Sequence, residues 1–134
     1  MFVSASTDCF PRLSFEAALS KLTDLEYTRV EIDLDQTGTQ FKPSDVADHF
    51  DSAVRRCRDT HRLTPVAYSV DTGGNGAEGY RLFTACAKLA KATKTVLITT
   101  PSSELGFPFN EEVARLRELV RIAGVEGVLV AVRT

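Results

Sequence analysis

The sequence predicts an α/β fold in which parallel strands alternate with helices. Short β-rich stretches recur along the 134 residues, and a segment with apolar residues at helical spacing follows each of the first four. Strand–helix–strand units of this length form right-handed crossovers between parallel strands. The element order is therefore β-α-β-α-β-α-β-α-β, and we expect residues 1–134 to form a single domain.

The first two strands and the first helix are predicted by alternation and by a helix cap. Residues 2–6 form a short β run, and Ser14 suits the N-cap of a helix that reaches about Glu26. Residues 30–34 then form a strand in which apolar and acidic side chains alternate. The apolar positions are Val30, Ile32 and Leu34, and the acidic ones are Glu31 and Asp33.

The remaining elements follow the same rules. Pro43 suits the first turn of the second helix, whose apolar face continues to Cys57. Asn110 suits the N-cap of the fourth helix, and Gly124 suits the left-handed residue that ends it. The other predicted elements are strands at residues 64–70, 95–99 and 127–134 and a third helix at residues 77–91.

The last predicted strand, residues 127–134, is not followed by a crossover helix. Parallel strands are normally buried on both faces. We therefore expect that either a partner covers this strand or the chain is the front half of a larger fold.

Two parallel architectures fit this order of elements. One is an open doubly wound sheet of the flavodoxin type, which five strands complete. The other is a (β/α)8 barrel of about 250 residues, of which this chain is half. Both faces of a central doubly wound strand are dry, and Glu31 and Asp33 would be costly there. In a barrel the same side chains point into the lumen near the catalytic mouth, so the alternation favours the partial barrel.

Several short segments resemble the xylose isomerase-like TIM barrels, the sugar phosphate isomerase and epimerase superfamily. They are Val3-Ser-Ala-Ser6, Val30-Glu-Ile-Asp-Leu34, Lys42-Pro-Ser-Asp-Val46 and Leu63-Thr-Pro-Val-Ala67. The resemblance covers the whole chain and assigns it to strands one to five of eight. It implies an isomerase- or epimerase-like protein that acts on a sugar or sugar phosphate.

The resemblance also implies a divalent metal, Mn²⁺, Mg²⁺ or Zn²⁺, bound by carboxylates and a histidine at the ends of strands five to eight. The position that matches the strand-five glutamate of the family is Arg133. A guanidinium only donates hydrogen bonds and does not ligate a cation. The resemblance places the other ligand strands, six to eight, after Thr134, so we expect this chain alone to bind no metal and to lack isomerase activity.

Six residues are expected to line a substrate pocket at the carboxyl ends of the strands, and each has a structural alternative. Glu31 and Asp33 would bind substrate hydroxyls or pair with a basic side chain in the lumen. Arg133 would bind an anionic sugar or phosphate, or form an ion pair with Glu31 or Asp33. Asp71 would bind substrate or cap the glycine-rich loop after strand three. The remaining two are Tyr68, which would stack on the ligand or pack in the core, and Thr99, which would donate to a sugar hydroxyl or act structurally.

Composition and charge exclude several classes of partner. The formal net charge is −2, so neither a nucleic acid nor an acidic membrane surface is expected as a partner. The sequence has no apolar run long enough for a transmembrane helix. Cys9, Cys57 and Cys86 form no metal-binding pair, and we expect reduced thiols in a cytoplasmic protein, with the last two buried.

Two other function classes stay open at the level of sequence. One is a non-catalytic half-barrel that binds a ligand or forms a homodimer through its exposed edge strands, one and five. The other is a doubly wound receiver- or flavodoxin-like domain. Asp8 and Asp71 fall where a receiver needs acidic residues, but Arg133 stands where a receiver needs a lysine.

Overall fold

A computed structural model describes residues 3–60, 62–74 and 76–133, and within them the alternating segments form five strands. The strands are β1 (Ala5–Ser6), β2 (Arg29–Asp35), β3 (Thr64–Asp71), β4 (Leu97–Pro101) and β5 (Leu129–Arg133). The helices are α1 (Phe15–Asp24), α2 (Pro43–Asp48), α3 (Phe50–Arg58), α4 (Ala77–Ala92) and α5 (Phe109–Val125). Phe2 and Thr134, which begin and end predicted strands, lie outside the described residues.

The strand order decides between the two predicted architectures. All described pairings are parallel, and the order in the sheet is β1-β2-β3-β4-β5, so each strand pairs with the next one in the chain. A doubly wound sheet instead reverses its strand order at a switch point, where its ligand binds. The flavodoxin-like and receiver-like alternatives are therefore wrong, and the sheet has the sequential winding of a barrel.

The two faces of the sheet differ in polarity because β2 alternates. Val30, Ile32 and Leu34 are fully buried in the core that the sheet forms with the helices. Glu31 and Asp33 point to the opposite side and are half-buried. The predicted alternation is thus confirmed, and it gives the sheet one apolar face and one acidic face.

Tyr68 lies on the apolar face, so of its two predicted roles it has core packing and does not line the pocket. It is in register with Ile32 and Ile98, is fully buried, and its hydroxyl lies 2.8 Å from Thr93 Oγ1. A buried tyrosine is stable there because its one polar atom has a partner. Cys57 and Cys86 are buried as predicted, and both lie in the same core.

The second predicted helix is interrupted. Its chain leaves helical geometry at His49, with φ −135° and ψ 59°, so that α2 ends at Asp48 and α3 begins at Phe50. Within the described residues, no helix is long and apolar enough to cross a lipid bilayer.

Three helices end in the same left-handed turn, and each turn leads into a strand. The left-handed residues are Glu26, Lys94 and Gly127, with φ of 67°, 59° and 70°. In each case the next backbone N–H donates to a carbonyl of the last helical turn, as in a Schellman motif. The end of α5 therefore uses Gly127 rather than the predicted Gly124. Its start likewise differs, because α5 begins at Phe109 with Pro108 as N-cap rather than Asn110.

We expect Lys94→Gly to stabilise the protein by about 1 kcal/mol, because a residue with a Cβ is strained at positive φ and glycine is not. Gly127→Ala is the matched control and should lower stability by about the same amount, since no atom lies close enough to clash with the added Cβ. Urea unfolding followed by circular dichroism measures both changes. Equal stabilities of Lys94→Gly and the unmodified protein would contradict the strain at this turn.

Candidate functional site

The polar side of the sheet gathers side chains from four strands. The register aligns Asp33 on β2 with Ser69 on β3, and Ser69 with Thr99 on β4. Residues in register point to the same side of a sheet, and alternate residues along one strand share that side. We call this surface the concave face. Toward the carboxyl ends of the strands, this face carries the side chains of Glu31, Asp33, Ser69, Asp71, Thr99 and Arg133.

One hydrogen bond crosses this face between strands that are not neighbours. Thr99 Oγ1 donates to Glu31 Oε1 at 3.1 Å, although β2 and β4 are not neighbours and β3 lies between them. Strands two apart in a flat sheet are separated by about 9.5 Å. The long Glu31 side chain spans this distance, and β3 carries only the small side chains of Ala67 and Ser69 beneath the bond. Glu31 and Thr99, both predicted from sequence, are thereby brought together.

Ser69 was not predicted and is the most unusual residue of the face. It is only 3% exposed, and its hydroxyl oxygen is enclosed without a hydrogen-bond partner in the described part of the chain. A buried hydroxyl without a partner costs about 1–3 kcal/mol. Its register with Asp33 identifies it as a pocket residue, but that register is visible only once β3 is aligned with β2.

Asp33 holds a proton more tightly than an ordinary aspartate. Burial raises the pKa of Asp33 to about 6, and the carboxylates of Asp8 and Asp35 add to the rise. The positive charge of Arg133 lowers the pKa of Asp33, so the guanidinium lies near enough to act on this carboxyl. A carboxyl with this pKa exchanges a proton close to neutral pH, as a general acid or base must.

A hydrogen bond with the segment that follows β1 fixes the backbone of Asp33. Its backbone N–H donates to Thr7 Oγ1 at 2.9 Å, and Thr7 is fully buried. The Gln40 side-chain amide holds the same turn by donating to the carbonyl oxygens of Thr7 and Phe10, at 3.0 and 2.6 Å. The short β1 strand is thus attached to β2 by side chains as well as by its ladder.

Asp71 has the structural role that its alternative assigned to it. Its Oδ1 accepts a hydrogen bond from the Gly73 N–H at 3.0 Å, so it caps the loop that follows β3. Asn75 of that loop lies outside the described residues.

The donor set on these strands does not fit a divalent metal. In the ranges that the structure describes, no three His, Cys, Asp or Glu side chains are grouped so that they could hold a metal ion. Arg133, at the end of β5, is a donor that does not ligate cations. No catalytic step of this chain is therefore assigned to a metal.

Several solved structures share this fold. A xylose isomerase-like TIM barrel protein from Mycobacterium smegmatis in complex with magnesium is 14% identical, with a TM-score of 0.71, and the match covers 98% of this chain and 54% of that one. An IOLI protein with a bound zinc atom is 18% identical, with a TM-score of 0.64 and coverages of 98% and 51%. D-psicose 3-epimerase in the presence of D-fructose is 10% identical, with a TM-score of 0.63 and coverages of 98% and 52%.

These comparisons define the class of fold. No family model and no curated protein matches the chain. The chain spans about half the length of the solved structures that it resembles. It therefore has the fold of half of a TIM barrel, the architecture that the sequence predicted. Since the identities are all 18% or lower, the likeness establishes the fold alone.

Asp33→Asn should make stability less dependent on pH. The pKa of about 6 in the folded protein exceeds the ordinary value of 3.8, so the unfolded chain releases this proton first. The penalty of ionising Asp33 is absent below about pH 4 and complete above about pH 7. The variant should therefore gain stability relative to the unmodified protein as pH rises through this window.

The measurement is the difference in urea midpoint between the two proteins from pH 4 to pH 8. Asp24→Asn, on the exposed surface of α1, is the control for removal of one negative charge. A difference that stays constant across the range would contradict the burial-driven rise in the Asp33 pKa.

Proposed function

We propose that this chain supplies a sugar-binding face of an isomerase- or epimerase-like barrel. The observation that carries the proposal is the hydroxyl of Ser69, which is enclosed and unpartnered beside Asp33 on the concave face. Proteins accept the cost of an unsatisfied buried hydroxyl mainly at functional sites. A sugar hydroxyl on the concave face would form a hydrogen bond with the Ser69 hydroxyl after a small rearrangement of the side chains around it. Glu31 and Asp33 would accept hydrogen bonds from neighbouring hydroxyls of the sugar.

The charge of the face favours a neutral sugar over a sugar phosphate. Glu31, Asp33 and Asp71 contribute carboxylates, and Arg133 contributes one positive charge. A phosphate on this surface would meet more negative than positive charge. Arg133 would then donate to a sugar oxygen, and a sugar phosphate is the less favoured ligand.

The chemical role proposed for this chain is binding and proton transfer. Asp33 titrates near neutral pH and would take or return a proton at a sugar carbon or hydroxyl. Structures of similar fold are described with zinc or magnesium. Because the residues of this chain do not fit such an ion, we propose that the chain alone has no isomerase activity.

We also propose where the protein acts and what it binds. Cys9, Cys57 and Cys86 are all free thiols, which suits a cytoplasmic protein of carbohydrate metabolism. We propose that residues 1–134 act as one domain, with a small-molecule sugar as partner and with neither nucleic acid nor membrane as a binding surface.

Titration of the ¹⁵N-labelled chain with D-fructose, followed by NMR, tests the binding role. We expect shifts of the backbone amides of Glu31, Asp33, Ser69 and Thr99 with millimolar affinity, and an equal or weaker effect of D-fructose 6-phosphate. Ser69→Ala should weaken D-fructose binding by about threefold to tenfold, because it removes one hydrogen bond from the ligand.

The same variant should raise the stability of the unbound chain, since it removes a buried hydroxyl without a partner. A loss of binding together with a gain in stability would distinguish a functional serine from a structural one. Arg121→Gln is the control, since Arg121 lies on the exposed side of α5 and pairs with Glu118. Unchanged resonances on the concave face, or a clear preference for the phosphate, would contradict the proposal.

The second candidate function is assembly through the sheet edges. Leu129 and Val132 on β5 are 69% and 42% exposed, and an uncovered edge strand with apolar side chains is a site of strand pairing. We propose that two copies associate through their edge strands when nothing else covers them. Light scattering should show a dimer that Leu129→Lys dissociates, and a monomer at every concentration would contradict this.

A further inference from the structure

A groove lies between α2, α3 and α4, on the helical side of the sheet. It has a volume of about 480 Å³, which is within the range of small-ligand sites. Its floor consists of apolar side chains, those of Val46, Ala47, Phe50 and Ala85. We call it the outer groove. Because only helical residues line it, the outer groove shares no residue with the concave face.

The floor of the outer groove is held in place by the core. Val46 is fully buried, and Phe50 is partly buried and packs against the core. The helices on either side are also joined, since Arg58 of α3 donates to the Ala92 carbonyl oxygen of α4 at 2.9 Å. These contacts do not use the space of the groove, so its shape is present before a ligand arrives.

Two cations line the outer groove, and they differ in the charges around them. Arg81 donates to both carboxylate oxygens of Glu78, at 2.9 and 2.7 Å, and Asp48 lies 3.8 Å from it. Lys88 is exposed and takes part in none of the salt bridges between the described residues. Arg81 and Lys88 lie about two turns apart on α4, or about 10 Å along its axis. The groove therefore has an uncompensated positive charge at one end only.

The size and the charge of the outer groove select the class of occupant. Its lining comprises seven residues, whereas a stable protein interface takes about 20–30 residues a side. A partner protein or a second copy of the chain would therefore gain little from it. One positive charge at the end of a short apolar floor is complementary to a small molecule with one anionic group at the end of an apolar body.

We propose that the outer groove binds a free monocarboxylate with an apolar tail, such as a medium-chain fatty acid. The tail lies along the floor between Phe50 and Ala85, and the carboxylate lies beside Lys88. The opposite orientation is disfavoured, because Glu78 and Asp48 outweigh Arg81 at the other end. This site goes beyond the proposed function, since its ligand class and its residues both differ from those of the concave face.

NMR titration of the full ¹⁵N-labelled chain with decanoate, at concentrations too low for micelles, tests this site. We expect shifts of the backbone amides of residues 46–50 and 81–88. Decyltrimethylammonium has the same tail with the opposite charge and should bind more weakly, because Lys88 repels it. Octanoate, which is two methylenes shorter, should bind about fifteenfold more weakly than decanoate if the whole tail is buried.

Lys88→Gln should raise the dissociation constant of decanoate about threefold to fivefold, because it removes the positive charge beside the carboxylate. Lys91→Gln is the matched control. Lys91 lies on the same helix, pairs with Glu126 at 3.7 Å and does not line the outer groove, so this variant should bind decanoate as the unmodified chain does. Ala85→Leu fills the floor and should weaken decanoate and decyltrimethylammonium alike.

Several outcomes would overturn the inference. Decanoate shifts confined to other amides would exclude the outer groove as the site. Equal binding of decanoate and decyltrimethylammonium, or equal losses in Lys88→Gln and Lys91→Gln, would exclude the charge-selected ligand. A dimer of the unliganded chain that Ala85→Leu dissociates would assign the groove to a second copy instead. None of these outcomes changes the expected D-fructose shifts on the concave face, so the proposed function is tested separately.

Discussion

The hydrogen bond from Thr99 to Glu31 depends on the geometry that makes this chain half of a barrel. It crosses β3 at 3.1 Å and joins strands that are not neighbours, and the strand between them carries only the small side chains of Ala67 and Ser69 beneath it. The curvature of a barrel sheet brings side chains from β2, β3 and β4 to one place. Sequential strand order, alternation on β2 and the small residues of β3 are therefore parts of one arrangement.

The same curvature explains the electrostatics of the face. It places Asp33 in a partly buried position near Asp8 and Asp35, and burial raises the pKa of Asp33 to about 6. It also encloses the Ser69 hydroxyl without a partner. Acidic residues and an unsatisfied hydroxyl lower the stability of a fold, and they are expected where a ligand supplies the missing interactions. The positive charge of Arg133 and the hydroxyl of Thr99 offset only part of this cost.

Much of the fold was predictable from the sequence, because β2 has a strict period of two and the helices have clear apolar stripes. Alternation placed Glu31 and Asp33 correctly. It gave no assignment for β3, where apolar residues occupy both faces, and the side on which Tyr68 lies was therefore left open. Ser69 became visible only through its register with Asp33.

Glu26 and Lys94 occupy left-handed turns that glycine usually marks, so the predicted ends of the helices were imprecise. The ion pair of Glu112 with Arg115 is local in sequence, but no local pattern reveals that it lies beside β4.

The central claim is that β2 presents Asp33 to a concave, partly buried and acidic face. The most direct test is the carboxyl pKa of Asp33 itself, measured from its side-chain ¹³C chemical shift as a function of pH. The account predicts a midpoint about two pH units above the ordinary aspartate value, and a further rise when Arg133 is replaced by glutamine, since the guanidinium lowers it. A midpoint at the ordinary value of 3.8 in both proteins would place Asp33 in solvent and contradict the concave face.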